Sequence, residues 1–228
     1  SNYTSGKLNG TIIRWYENGN KSEDGVYETG KQNGIWIWYY KTGIKKEQTR
    51  FVDGQQDGLW LQWFTDGAKK SERKFTNGER DSLWTSWYKN GNKKFQATYA
   101  NGKLNGSWTS WYENGIINEK TGSYSDNKLD QKWTYWADDG RKTQEVAYDN
   151  GVKNGSFLLW NVDNYKTIEG EYLTGEKHGT WTLWYENGTL KAQESYASGE
   201  MNGQWIWWRP DGVKDREGSY KKGVRHGI

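Results

Sequence analysis

A short phrase opened by glycine recurs every 24 residues in this chain of 228 residues, and no other feature constrains its fold as strongly. The phrase opens at Gly10, Gly34, Gly58, Gly106, Gly155, Gly179, Gly203 and Gly227, with Ser82 and Gln131 at the two remaining positions. Every step is 24 residues except one of 25, and we interpret the extra residue, between Gly115 and Tyr124, as a β-bulge. We expect residues 1–228 to form a single array of about nine repeats, truncated mid-repeat at both ends.

Each repeat is predicted to be a β-hairpin. In residues 58–78, Asp66-Gly67 indicates a two-residue type I′ turn between an aromatic strand and a polar strand. Asn77-Gly78 is the second interruption, where we expect a longer loop to the next hairpin. The predicted fold class is therefore all-β, an elongated single-layer antiparallel β-meander of tandem 24-residue hairpin repeats that forms a solenoid-like ribbon.

A two-residue turn fixes the register of this hairpin. Phe64 then faces Lys69, Gln62 faces Ser71 and Trp60 faces Arg73. One face carries a column that we expect to be structural, in which rings cover strand glycines such as Gly25. Its members are Ile12, Trp36, Trp60, Trp84, Trp108, Trp133, Phe157, Trp181 and Trp205. The opposite face carries a second column, made of Trp15, Tyr39, Trp63, Trp87, Trp111, Trp136, Trp160, Trp184 and Trp208.

Composition argues against several classes of function. A net charge of +3, from 32 basic and 29 acidic residues, predicts no nucleic-acid partner. Cysteine is absent, and no apolar run is long enough for a membrane span. No signal peptide is recognisable, although a signal or anchor could have been trimmed. An exported or cell-surface location is slightly favoured over a cytoplasmic one.

Neither a catalytic nor a metal site is predicted. His178 and His226 lie two periods apart at one repeat position, so we expect them far apart in loops. Acid–base catalysis needs two carboxyl groups that converge on one substrate, which a ribbon without a pocket does not provide. We therefore expect no catalytic residue, no metal and no cofactor.

The second column is the predicted binding surface. Its candidate residues are Trp63, Trp87, Trp111, Trp136, Trp160 and Trp184, with Lys69 and Lys93. Trp87, Trp111 and Trp136 are the best candidates for exposed rings, since they lack large aliphatic neighbours. A protein partner is favoured, through a few aromatic anchors. The alternative is carbohydrate or cell-wall binding, with sugars stacked on these rings. End-to-end self-association through the terminal strands is a further expectation.

The repeated phrase resembles the bacterial variant of MORN (membrane occupation and recognition nexus) repeats. It reads Gly-Ser-Trp-Thr-Ser-Trp-Tyr-Glu-Asn-Gly in residues 106–115 and Gly-Thr-Trp-Thr-Leu-Trp-Tyr-Glu-Asn-Gly in residues 179–188. The resemblance implies single-layer antiparallel ribbons and, for many bacterial members, an antitoxin-like or surface role. Choline-binding and cell-wall repeats share the Gly, Trp and Tyr composition but fit this period less well.

Overall fold

The computed structural model describes residues 2–115 and 118–226, which belong to two compact units, residues 1–116 and 117–228. No helix occurs in these described ranges, and almost every residue outside the turns lies in a strand. Within each unit, successive strands pair antiparallel in chain order. The predicted all-β meander of hairpins is thus confirmed in each unit.

Eleven strands lie among the described residues of the first unit, and the long aromatic and polar strands alternate. They span Asn2–Thr4, Lys7–Trp15, Lys21–Glu28, Lys31–Tyr39, Lys45–Val52, Gln55–Gln56, Gly58–Trp63, Lys69–Thr76, Glu79–Trp87, Lys93–Ala100 and Lys103–Trp111.

Eleven strands also lie in the part of the second unit that the structure describes, residues 118–226. They span Asn118–Ser125, Lys128–Trp136, Lys142–Asp149, Val152–Trp160, Lys166–Leu173, Glu176–Trp184, Leu190–Ala197, Glu200–Met201, Gly203–Trp208, Lys214–Lys221 and Val224–His226. None of the described residues forms a helix that is long and apolar enough to cross a bilayer.

The two kinds of turn occupy the opposite places from those predicted. The Asp66-Gly67 site is a three-residue loop, in which the Gly67 N–H donates to the Phe64 carbonyl at 3.0 Å and only the glycine has positive φ (89°). The two-residue type I′ turn lies instead at Asn77-Gly78, where φ is 50° and 81°. It joins the polar strand directly to the next aromatic strand, and the expected longer loop is wrong.

The loop correction changes one of the three predicted pairs. Lys69 pairs with Trp63, and the Phe64 N–H donates to the Ala68 carbonyl at 2.8 Å, so the predicted pairing of Phe64 with Lys69 is wrong. A bulge next to Lys69 then restores the predicted register. Gln62 faces Ser71 and Trp60 faces Arg73, as expected.

The glycine that opens each repeat is itself a bulge residue with a left-handed backbone. Gly58, for example, has φ of 108° at the point where the register shifts against the preceding polar strand. Ser82 and Gln131, which replace glycine in two repeats, keep this conformation, with φ of 59° and 58°. Glycine recurs at this position because the backbone there must be left-handed, a conformation that side chains disfavour. Ser82 and Gln131 adopt the same conformation with some backbone strain.

The first column forms the core of each unit, as predicted. Trp36, Trp133 and Trp181 are at most 2% exposed, and each donates its indole N–H to a backbone carbonyl of the preceding polar strand at 3.0–3.1 Å. Their edges contact the tyrosines of the same face, as in the T-shaped pair of Tyr27 and Trp36, with centroids 4.9 Å apart.

Each ring covers the strand glycine of the preceding repeat, whereas coverage within one hairpin was expected. Ile12 faces Gly25 in the ladder, but Trp36 from the next hairpin lies over that glycine. Trp133 and Trp181 lie in the same way over Gly122 and Gly170. Because the aromatic strand pairs with polar strands on both sides, the ring can reach either neighbour, and it packs on the preceding one.

The middle of the first unit departs from this arrangement. Arg73 stands at the glycine position there, and its guanidinium lies between two indoles, 4.7 Å from the Trp60 centroid and 4.1 Å from that of Trp84. The Nε1 atoms of both tryptophans and Nε of Arg73 are buried without an acceptor. Burial lowers the pKa of the Arg73 guanidinium, and repulsion from the charge of Arg80 lowers it further. A side chain at this position therefore displaces the indoles from the hydrogen-bonded arrangement of Trp36.

Two sequence-based interpretations fall outside the described residues. Asn118 takes the position of Lys21 in the first repeat, so counting places the extra residue of the long step at 116–117. The β-bulge proposed for it lies outside the described residues, as does the last opening glycine, Gly227.

Candidate functional site

The second aromatic column lies at the end of each aromatic strand, where the strand meets its three-residue loop. We call this row of strand ends the edge. Trp63, Trp87 and Trp111 belong to the first unit, and Trp136, Trp160 and Trp184 belong to the second. All six rings are partly buried, whereas Trp15 is 58% exposed. The surface of the column therefore consists of ring edges together with the side chains packed on the rings.

Lysines from the preceding hairpin cover these rings. The Nζ of Lys69 lies 5.2 Å from the Trp87 centroid, and that of Lys93 lies 5.5 Å from the Trp111 centroid. The structure thus brings the two candidate lysines together with two candidate tryptophans. The contact is repeated between Lys45 and Trp63 at 5.9 Å in the first unit, and between Lys142 and Trp160 at 5.1 Å in the second. Cation–π attraction and packing of the lysine stem hold each ring in place.

Tyrosines that the sequence analysis did not single out fix the backbone of the column. The hydroxyl of Tyr40 donates to the carbonyl of Trp63 at 2.9 Å, and that of Tyr88 donates to the carbonyl of Trp111 at 3.0 Å. The side-chain amide of Asn90 adds a bond to the Glu113 carbonyl at 2.8 Å. The signal was present in the sequence, because a tyrosine follows the column residue in five repeats. These are Trp15-Tyr16, Tyr39-Tyr40, Trp87-Tyr88, Trp111-Tyr112 and Trp184-Tyr185. These bonds pre-organise parts of the column, because they tie the hairpin end at residues 39–46 to Trp63 and the end at residues 87–94 to Trp111.

Three hairpin ends of the first unit differ sharply in charge from the ends of the second unit. Three hairpin ends of the first unit, residues 39–46, 63–70 and 87–94, contain eight lysines and one aspartate, a net charge of +7. We call these three segments the basic edge. The corresponding ends of the second unit, residues 136–143, 160–167, 184–191 and 208–215, each have a net charge of zero. Positive charge is therefore concentrated on one part of a chain whose total is only +3.

Most charges of the basic edge are available to a partner, since all eight lysines are exposed. Lys69 is paired with Glu72 at 2.7 Å and Lys89 with Asp66 at 3.6 Å. Among the described residues, no carboxylate pairs with the lysines at the remaining positions, which are Lys41, Lys45, Lys46, Lys70, Lys93 and Lys94. The edge thus combines fixed aromatic rings with uncompensated cations.

The neutral edge of the second unit has an open pocket instead. It measures about 490 Å³ and lies between Trp136 and Trp160, with Arg141, Lys142 and Asn164 in its lining. Its cations are compensated, because Arg141 pairs with Asp139 at 2.6 Å and Lys142 with Glu145 at 2.7 Å. The space between Trp136 and Trp160 is therefore open to a ligand.

Tyr39 is the member of the second column whose hydroxyl has a raised pKa. Its hydroxyl donates to the Asp24 carboxylate at 3.0 Å. Burial, followed by this hydrogen bond and the negative charge of Asp24, raises the pKa of Tyr39 to about 12. The ring therefore stays neutral at physiological pH.

The two histidines do not converge. His178 pairs with Glu171 on one strand pair and His226 pairs with Ser219 on another. Within residues 2–115 and 118–226, no cluster of three or more histidine, aspartate or glutamate side chains is placed to hold a metal ion. The column edge remains the candidate site.

Comparison with protein families matches four segments of the chain to the MORN repeat variant, at residues 32–53, 80–101, 104–126 and 177–198. A search of the curated proteins gave no match. The matched segments 32–53, 80–101 and 177–198 have the hairpin structure described above, with the core column and the second column in place. These four segments are thus MORN-type repeats.

Proposed function

We propose that this protein is a non-catalytic repeat scaffold that binds another protein through the basic edge of its first unit. The observation that carries the proposal is the net charge of +7 on three successive hairpin ends, beside rings held in place by hydrogen bonds and lysine stems. A pre-organised surface loses little side-chain entropy on binding, and concentrated charge steers an acidic partner towards it. The partner is therefore a protein with an acidic segment.

The test reverses the charge of the edge without touching the column. The triple variant Lys46→Glu, Lys70→Glu, Lys94→Glu lowers the net charge of the basic edge from +7 to +1. We expect it to lose the proteins that the wild-type chain retains from an extract of its source organism.

A matched control reverses three exposed lysines at the opposite ends of the strands. This variant, Lys7→Glu, Lys31→Glu, Lys128→Glu, changes the net charge of the chain by the same amount and is expected to retain the partners. Equal retention by the two triple variants would refute the basic edge as the binding surface.

Capture on this edge can serve a neutralising, antitoxin-like role or attachment at a cell surface. The neighbouring genes separate the two. A toxin gene next to this one favours neutralisation, and an export signal in the full reading frame favours attachment.

Carbohydrate binding is the second candidate function, and the pocket between Trp136 and Trp160 favours it. Its aromatic walls, neutral charge and polar lining suit the apolar face and hydroxyls of a sugar. A glycan array probed with the wild type and with Trp136→Ala tests this function. Binding that persists after loss of the ring, or no binding to any glycan, would exclude this site.

A further inference from the structure

The spacing of the rings along the basic edge matches one kind of extended peptide. Successive column rings are separated by two strands, which is about 9.6 Å at the usual spacing of paired strands. A polyproline II helix advances about 9.3 Å per turn of three residues, so one residue in every three recurs at nearly the period of the rings. Four rings, those of Tyr39, Trp63, Trp87 and Trp111, follow one another in successive repeats of the first unit. We call the three spaces between these rings slots.

Other peptide conformations fit the period less well. A β-strand repeats its side-chain direction about every 6.8 Å, so only one slot in a few could be filled in phase. An α-helix returns to one face after seven residues, about 10.5 Å, and drifts by close to 1 Å at each slot. The polyproline II helix drifts by about 0.3 Å, which accumulates to less than 1 Å over the three slots.

The chemistry of the slots fits proline and acidic residues. In the corresponding space of the second unit, the pocket has Trp136 and Trp160 at its sides, with Lys142 packed on the second ring. Lys45, Lys69 and Lys93 occupy that position in the three slots of the first unit. Proline rings pack on aromatic side chains in known polyproline grooves, and a carboxylate at another position of each turn would meet the lysines of the edge.

We propose that the basic edge binds an acidic, proline-rich segment in the polyproline II conformation, with one turn of the peptide for each repeat. This inference rests on the proposed function, because it names the kind of segment that the partner presents. Proline supplies a conformation that is already ordered before binding. The positive edge selects acidic segments, whereas the neutral edge of the second unit does not.

The test uses synthetic peptides and the whole chain. A fluorescent dodecapeptide of four Pro-Pro-Glu triplets is titrated with the protein, and its anisotropy gives the dissociation constant. The peptide (Glu-Glu-Pro-Pro-Pro-Pro)₂ has the same composition without the three-residue period. Four Ala-Ala-Glu triplets keep charge and spacing without proline, and four Pro-Pro-Lys triplets reverse the charge. We expect the first peptide to bind at least tenfold more tightly than each of the other three.

Protein variants locate the site. Trp87→Leu removes one wall of two slots and is expected to weaken binding at least tenfold, whereas Trp184→Leu, at the same repeat position of the neutral edge, leaves it unchanged. The triple variant Lys46→Glu, Lys70→Glu, Lys94→Glu is also expected to weaken binding at least tenfold. This variant alters only exposed side chains, so it decides the matter even where a tryptophan variant folds poorly.

The outcomes separate this inference from the proposed function. Equal affinity for the Ala-Ala-Glu or the aperiodic peptide, or unchanged binding by the triple lysine variant, would overturn the polyproline assignment. If no peptide binds while reversal of the edge still abolishes capture of the natural partner, the inference fails and the proposed function stands. If reversal leaves capture of the partner intact, the proposed function itself fails.

Discussion

Replacing Gly25 with alanine should destabilise the first unit, although alanine is normally the better residue in a strand. A Cβ atom at this position would lie 2.8 Å from Cε3 of Trp36, and closer still to Cδ2 and Cε2. Carbon atoms in good contact are about 3.5–4.0 Å apart, so the indole would have to move by roughly 1 Å or more. Trp36 has little room to do so, because it is 1% exposed and lies between Tyr27 and Phe51.

The magnitude follows from three contributions. Overpacking of a well-packed core costs about 1–3 kcal/mol. Displacement of the ring also lengthens the bond from Trp36 Nε1 to the Val26 carbonyl, now 3.1 Å, and loss of such a bond costs about 1 kcal/mol. The smaller backbone entropy of alanine in the unfolded chain offsets about 0.5–1 kcal/mol. We expect Gly25→Ala to lower the free energy of unfolding by about 2 kcal/mol.

Hydrogen exchange with mass spectrometry can measure this effect locally, which suits a chain of two compact units. Peptides that cover residues 21–52 should lose protection in the variant. The control is Gly218→Ala at the same repeat position, where no tryptophan covers the glycine. The atoms nearest to an added Cβ there, Nε of Arg225 and Cε2 of Tyr220, are 3.7 Å away. This substitution should be neutral or slightly stabilising. Equal effects of the two substitutions, or no effect of Gly25→Ala, would refute the packing argument.

Three further predictions concern the backbone, pH and buried charge. Ser82→Gly should stabilise the first unit by about 0.5–1 kcal/mol in chemical denaturation, because it relieves a left-handed φ of 59°. Ser86→Gly, at a position of the same strand without positive φ, should destabilise it. Because the pKa of Tyr39 is raised, the contribution of its hydroxyl to stability is complete below about pH 10 and is lost as pH rises towards about 12. The difference in unfolding free energy between wild type and Tyr39→Phe should therefore shrink over that range. A difference independent of pH would contradict the hydrogen bond to Asp24. Arg73→Met keeps an unbranched side chain between the two indoles and removes a cation whose Nε has no acceptor. The melting temperature of this variant should stay close to that of wild type, whereas that of Arg73→Ala should fall. A large fall in the melting temperature of the methionine variant would show that the cation–π contacts dominate.

The period and residue types were sufficient to predict the strands, their pairing and the core column. Glycine at fixed intervals and alternating aromatic residues have few other solutions, and Trp60 opposite Arg73 followed from that pattern. The turns were assigned to the wrong ends because Asp66-Gly67 and Asn77-Gly78 are equivalent as dipeptides. Which one becomes a type I′ turn depends on how the flanking strands pair, and a dipeptide does not encode that pairing.

The candidate site was predicted as a set of rings, but its environment was not. Lys69 and Lys93 were predicted to belong to the site, yet the contact of each with the tryptophan of the following hairpin depends on the twist and side-chain rotamers of both hairpins. The tyrosine hydroxyl bonds, such as that of Tyr88, were missed because a tyrosine beside a tryptophan looks like one more apolar residue. The charge difference between the hairpin ends was visible in the sequence, but it became meaningful only when those ends proved to form one edge.

The position of the loops has a consequence for how such a protein can change. Residues that determine folding lie on the strands and at the bulges, whereas the charge of the edge is set by the loop segments and the residues beside them. Selection can therefore rewrite recognition one hairpin end at a time while the architecture is inherited intact. Exchanging residues 63–70 for the neutral residues 160–167 would be an eight-residue graft that alters specificity on an unchanged scaffold. Each hairpin end can thus be exchanged without change to the others, and binding specificity can diverge among relatives much faster than fold.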